Sequence, residues 1–514
     1  TEIYTLSLHD ALPISFAVLR VRADASEELP AAFYSGTDQF LPQPSSATRD
    51  MLTFFGPDSP TDSTSEAREV VESDIWRLDG DTLYFFNQHR GLQIIDVSEP
   101  DHAALRGTLN LPAAGEQMYL LRSNHVVLLT RNNCATTSGY SDSEVLIVAV
   151  NDGAPFVAAR LAVTGTISES RLVGEALYVA AQSLRSQPGS DGSVWEWGTE
   201  ISSFDLAVPE SPVARSTLWY AGYNNVVYAT DTYFFAVTQD PTNYQQSRVN
   251  VIDITAPEGT MRAYDTIIPA GRVDDKFKLN WTDGIFTAIS EVSSNPRLTK
   301  LETFRLPDSH TVPPYTYLKL GEVEVGHGER LFATRFDYPR AYIVTFLQID
   351  PLWVVDLSDP ANPKVSGELE VPGWSTYIHP RGDQLVAVGI ETNLTTVSLF
   401  DVADPSRPSL LSRVPIGSHY SSSEANRDEK AFSVIEEAGL ILLPIQGYTS
   451  NGWQAWVQLI DLGVDSLTAR GVIAHDFAPR RATLHRDRVV SLSGVELLSR
   501  SEERRVGKEC RSRW

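Results

Sequence analysis

Cysteine is nearly absent from this 514-residue chain: Cys134 and Cys510 are the only two, too few for a disulfide framework or a cysteine-based zinc site. No run of about 18 apolar residues occurs, so no transmembrane segment is expected. Positive charge is scarce as well. The 42 Lys and Arg residues stand against 66 Asp and Glu, a net charge of −24 with a pI near 4.8, which repels nucleic acid and anionic membranes and suits a basic ligand. The short signatures of common enzyme classes are missing: no Gly-x-Ser-x-Gly elbow, no His-Glu-x-x-His, no P-loop and no dinucleotide fingerprint. The ten histidines are scattered, with neither a His-x-His nor a His-x₃-His pair. No helical apolar period of useful length is sustained, which argues against a helical architecture. What remains, 42% hydrophobic and 21% charged, is the composition of a large folded body rather than a disordered one.

The two ends differ from that body. The first fifteen residues, TEIYTLSLHDALPIS, and the last fifteen, RSEERRVGKECRSRW (500–514), resemble translated sequencing-adapter sequence and are set aside from the fold. The tail holds six Lys/Arg against three Glu in an otherwise acidic chain. Residues 16–70, rich in Ser, Pro, Asp and Thr, read as an extended linker. The folded body is expected over 71–499.

Within that body one pattern recurs: LQIIDVSEP (92–100), VLIVAVNDGAP (145–155), ISSFDLAVPESP (201–212), VNVIDITAPEG (249–259), LETFRLPDS (301–309), LWVVDLSDPANP (352–363), VSLFDVADPSRP (397–408) and VQLIDLGVDS (457–466). Its central residues, from Asp96 to Asp461, step along the chain by about 52 residues, a period of propellers and arrays. Each unit reads as four short antiparallel strands. A hairpin such as IWRLDGDTLYFFN (75–87) precedes the Asp-bearing strand, and a strand such as KVSGELEVP (364–372) follows it. In the sixth copy Val354 and Val355 are strand residues; Asp356 ends the pairing, Ser358 and Asp359 bond the turning backbone, and Pro360 has no N–H to donate. A calcium ion on Asp356 and Asp359 is the alternative, but the loop lacks alternating ligands closed by a bidentate Glu. No metal and no cofactor are expected. The fold class is all-β, a propeller of eight four-stranded blades counted from the eight copies, with seven or nine as alternatives.

The stretches GERLFATRFDYPRAYIVTFLQIDPLWVVDLSDPANPKVSGELEVPGWSTYIHP (328–380), LFDVADPSRP (399–408) and EKAFSVIEEAGLILLPI (429–445) resemble bacterial and archaeal secreted proteins with a C-terminal β-propeller domain, and weaker echoes extend the resemblance over about 70–499. It implies a protein outside the cytoplasm, whether secreted, periplasmic or lipid-anchored, with an export signal ahead of residue 16. It implies no activity.

Candidate site residues follow from the hairpins. A basic residue lies about seven places before the second strand of several blades: Arg77, Arg171, Lys278, Arg335 and Arg481, with Lys430 similarly placed. These are innermost positions, where a base needs an acceptor. Two readings follow: each pairs with a blade Asp such as Asp96, Asp356 or Asp401, or together they line the central channel and hold a small anion or an acidic peptide end. Tyr377 and His379, in TYIHP, sit on another inner strand. Trp195 and Trp197 lie in a Gly/Ser loop that either anchors itself or stacks on a sugar. The function expected is a non-catalytic scaffold that binds a protein or glycan partner through its loops or channel mouth. The alternative is a hydrolase or lyase using Arg335, Tyr377 and His379 at that mouth.

Overall fold

The computed structural model of the chain describes residues 21–22, 67–99, 102–111, 114–122, 124–131, 143–189, 192–306, 317–346, 350–449 and 452–501. They form nine antiparallel sheets. Eight follow one another as blades 1 to 8, spanning 76–109, 114–163, 166–221, 224–267, 279–325, 330–371, 374–416 and 421–475. We call the strands of each blade A to D in chain order, from the axis outward. Blade 9 takes strands A to C from Pro479–His485, Arg488–Ser493 and Glu496–Ser501, and strand D from Val21–Arg22, which pairs with Leu497 and Glu496.

The architecture is the β-propeller expected, and of the blade numbers held open it has nine rather than eight. The reason is physical. Blade 9 has no C–D turn, because its strand D arrives from the other end of the chain, so no Asp punctuates it. Two parts of the expected boundaries also shift: Val21–Arg22, read as linker, is a blade strand, and the last strand runs through Arg500 and Ser501. The rest of the segments read as adapter lies outside the described residues.

Ring closure is written in the core. Nine apolar clusters each join two consecutive blades, and the ninth packs Leu83 and Phe85 of blade 1 against Val490, Leu492 and Leu497 of blade 9. Strands B and C are buried on both faces, since each sheet is covered by a neighbour on either side. Closure also removes the exposed sheet edges that an open ring would leave for aggregation.

The recurrent Asp does what its turn chemistry predicts. The Oδ1 atoms of Asp96, Asp205, Asp253, Asp356 and Asp401 each accept the backbone N–H two residues on, at 2.8–3.0 Å. Several use the second oxygen to hold a base on strand D: Asp96 with Arg106, Asp205 with Arg215 and Asp356 with Lys364. They are therefore not the partners of the inner basic residues. The proline after the turn has its own place: Pro363 of blade 6 packs on Gly321 of blade 5, and Pro408 of blade 7 on Gly367 of blade 6. A Cβ at Gly367 would stand 2.2 Å from the Pro405 carbonyl oxygen. No helix among the described residues is long and apolar enough to cross a membrane.

Candidate functional site: the axial charge cluster and the aromatic face

The chain enters blade 1 along the inner wall of the ring. Val70–Val71 adds a fifth, innermost strand to blade 3, paired with Val173 and Leu172, and Asp74 exchanges backbone hydrogen bonds with Met118 on strand A of blade 2. Glu72 and Asp74 are thereby set among the inner bases. Glu72 reaches Arg171 at 3.1 Å, Lys276 at 2.5 Å and Lys430 at 3.8 Å. Arg171 also binds Glu169 at 2.9 Å and the Val227 carbonyl at 2.8 Å. Lys430 donates to the Ser73 carbonyl as well.

Arg481 holds the adjoining acidic group. It is 1% exposed and donates to Asp74 at 2.7 Å, to Glu424 at 3.0 Å and to Asp428. Its neighbour Arg480 binds Glu116 at 2.8 Å and Glu424 at 3.1 Å. Burial opposes the Arg481 charge, but Asp428, Asp74 and Glu424 outweigh it and hold the guanidinium well above its ordinary value. Asp428 is lowered in turn: burial pushes its carboxyl up, and the Arg481 charge overcomes that.

Of the residues expected at the axis, Arg171, Lys278, Lys430 and Arg481 are buried and ion-paired, Lys278 with Asp275. Arg77 is exposed on the first strand and does not join them. Arg335 lies over the rings of Phe277 and Tyr377, its guanidinium carbon 5.1 and 5.8 Å from their centroids. Among the described residues it makes no hydrogen bond or ion pair. Tyr377 is packed against Phe277 and Phe432, and burial raises its phenol. His379 is lowered, first by burial and then by the Arg335 charge.

The sequence pattern does not mark these carboxylates, nor Lys276 and Arg480. A signal existed for part of them. Where other blades open with alternating apolar residues, blade 8 reads SSSEANRDEKAF (421–432) and blade 5 is preceded by VDDKFKL (273–279). These stretches form short 3₁₀ turns at the axis, Glu424–Asn426, Glu429–Ala431 and Lys276–Lys278. Glu429 is fully buried with neither oxygen hydrogen-bonded and Lys276 at 3.7 Å, and burial pushes its carboxyl up to about 7.

The rim carries a second feature. Because antiparallel strands alternate in direction, B–C hairpins and D–A connections share one face of the ring, and the Asp-bearing C–D turns lie on the other. On the first face Tyr223, from the connection between blades 3 and 4, stacks on Trp197 of the blade 3 hairpin at 5.7 Å and 25°. The connection between blades 7 and 8 repeats this with Tyr420 on Trp453, at 6.2 Å and 25°, with Tyr448 edge-on. Trp195, Tyr244 and Phe477 are exposed on the same face. Trp197 thus anchors its loop, whereas Trp195 is 66% exposed.

A ring of nine antiparallel sheets closed between its first and last blades, with a cluster of charges at its axis, defines a β-propeller. The beta propeller domain model matches residues 64–193 and 195–494, and the chain belongs to that family. Two uncharacterized archaeal proteins are similar over a quarter of it. One, from Methanocaldococcus jannaschii, is 41% identical over 119 residues, 23% of this chain and 19% of that protein; the other, from Archaeoglobus fulgidus, is 40% identical over 120 residues with the same shares. The match spans about a fifth of the length of these curated relatives. Among solved structures, Sqt1 from Chaetomium thermophilum (11% identity, TM-score 0.42, 74% of this chain and 93% of that one) and BamB from Moraxella catarrhalis (10% identity, TM-score 0.39, 84% and 97%) are similar.

Proposed function

We propose that the protein is a non-catalytic binding scaffold, working outside the cytoplasm, that engages a protein or glycan partner through the face bearing the Tyr–Trp stacks. The observation that carries this reading is the repeated stack itself. Two pairs of flat aromatic rings, Trp197 with Tyr223 and Trp453 with Tyr420, stand at separate points of one face, with Tyr223, Tyr420 and Trp453 about half exposed and Trp197 partly covered. Tyr and Trp supply large contact area at low entropy cost and dominate binding hot spots. Nine inter-blade clusters keep the loops from moving apart, so little ordering is left for the binding step. The extracytoplasmic setting rests on the resemblance to secreted propeller proteins.

The catalytic alternative finds less support at the axis. Tyr377 is enclosed by aromatic rings. Among the described residues His379 makes no hydrogen bond to a nucleophile or a carboxylate, the arrangement that activates covalent or general-base chemistry.

The test is a binding screen of soluble cell-wall polysaccharides and envelope protein fractions by biolayer interferometry. The parent is compared with Trp453→Ala and Trp195→Ala. Loss of affinity by tenfold or more in a variant that melts like the parent is the expected result; binding that survives both substitutions overturns the assignment of this face.

A further inference from the structure

Arg335 breaks the rule that the other inner bases obey. In a chain with a large excess of carboxylates, Arg171, Lys276, Lys278, Lys430 and Arg481 are each matched by at least one. Arg335 is half-buried and, among the described residues, has none at ion-pair distance, although its charge reaches Asp337 two residues on. Its charge is felt by the groups around it: it lowers the His379 imidazole after burial has done so, and it adds to the burial that lowers Lys276. A guanidinium left this way keeps its in-plane donors unused while having lost part of its hydration.

We propose that Arg335 is the receptor of a small-carboxylate site on the channel wall. Phe277 and Tyr377 lie against the guanidinium, their centroids 5.1 and 5.8 Å from its carbon and their planes 56° apart. Aromatic rings satisfy the charge without using its N–H donors, which stay available for a bidentate carboxylate. The adjoining wall already displays that chemistry. Glu72 is a carboxylate held simultaneously by Arg171, Lys276 and Lys430. The chain fills that neighbouring position itself and leaves Arg335 for an anion from solution. A planar two-oxygen anion matches the fork, whereas chloride offers only a point charge.

The experiment uses the full chain at fixed ionic strength, with citrate as the probe and chloride and phosphate as comparators. Citrate is expected to raise the melting temperature in a saturable way, by mass action on the folded state, where chloride does not. Arg335→Gln should raise the half-saturating citrate concentration at least tenfold, Arg335→Lys should weaken it through loss of the fork, and Arg77→Gln should leave it unchanged. A second readout needs no variant at the site. Citrate bound at Arg335 offsets the charge that depresses His379, so the imidazole pKa, followed by NMR and assigned with His379→Gln, should rise. An equal citrate response in Arg335→Gln, an unmoved His379 at saturating citrate, or stabilisation by phosphate and not by citrate overturns the proposal.

Discussion

Replacing Arg481 by Met keeps most of the side-chain volume and removes the charge, leaving Asp74, Glu424 and Asp428 facing one another with their shared guanidinium gone. Removing one partner of a buried ion pair costs about 3–5 kcal/mol, because the other is left uncompensated. At roughly 2.1 cal/mol/K per residue over about 430 propeller residues, the unfolding entropy is about 0.9 kcal/mol/K. The melting temperature should therefore fall by roughly 3–6 °C at pH 7. The pH dependence gives the argument its sign. In the parent Asp428 is lowered, so its contribution is full above the unfolded carboxyl value of 3.8 and is lost as pH falls through the lower folded one. In the variant, burial and mutual repulsion raise these carboxyls instead, and the folded state takes up protons that the unfolded state does not. The gap between variant and parent should be widest at pH 7–8 and narrow toward about pH 4.5. Differential scanning calorimetry across that range measures both. A loss below about 1 kcal/mol, or a gap that does not change with pH, would refute the view that this cluster is a structural ion-pair network.

Three further outcomes follow from the same geometry. Glu72→Gln removes the carboxylate shared by Arg171, Lys276 and Lys430 and should destabilise by about 2–4 kcal/mol in urea unfolding, whereas Arg77→Gln, at an exposed position, should stay within about 0.5 kcal/mol. Glu429, raised to about 7 by burial among Lys276, Asp428 and Lys430, binds a proton more tightly folded than unfolded, so parent stability should decline between about pH 4.5 and 7. Glu429→Gln should flatten that decline and exceed the parent above pH 7, by on the order of 3 kcal/mol if the whole shift is recovered; an unchanged slope in chemical denaturation would count against it. Asp356→Ala loses two hydrogen bonds to Ser358 and should cost about 1–2 kcal/mol, with melting of parent and variant alike indifferent to EDTA; a parent that melts earlier with chelator would point to a bound cation.

The residues whose role was legible in the sequence act within their own blade. Val354, Val355, Asp356, Ser358 and Pro360 determine strand, stop and turn through local dihedral preference and hydrogen bonding over a few residues. That is why the all-β repeat, its period and the turn role of the recurrent Asp could be read from spacing alone. Arg171, Arg335 and Arg481 were legible at inner positions for the same reason, since strand alternation sets the direction of each side chain, whereas Lys278 and Lys430 sit on 3₁₀ turns and Arg77 is exposed.

Their partners were not legible. Asp74 and Arg481 are separated by 407 residues, and Glu72 meets bases that belong to three different parts of the ring. The blade number likewise turned on Val21 pairing with Leu497. A repeat period says how each unit folds, but it carries nothing about which unit lies opposite which across the axis. Only the closed ring brings those charges within a few ångströms, where burial makes their pairing obligatory, and only there is it visible that Arg335, among the described residues, stands at the axis without a carboxylate.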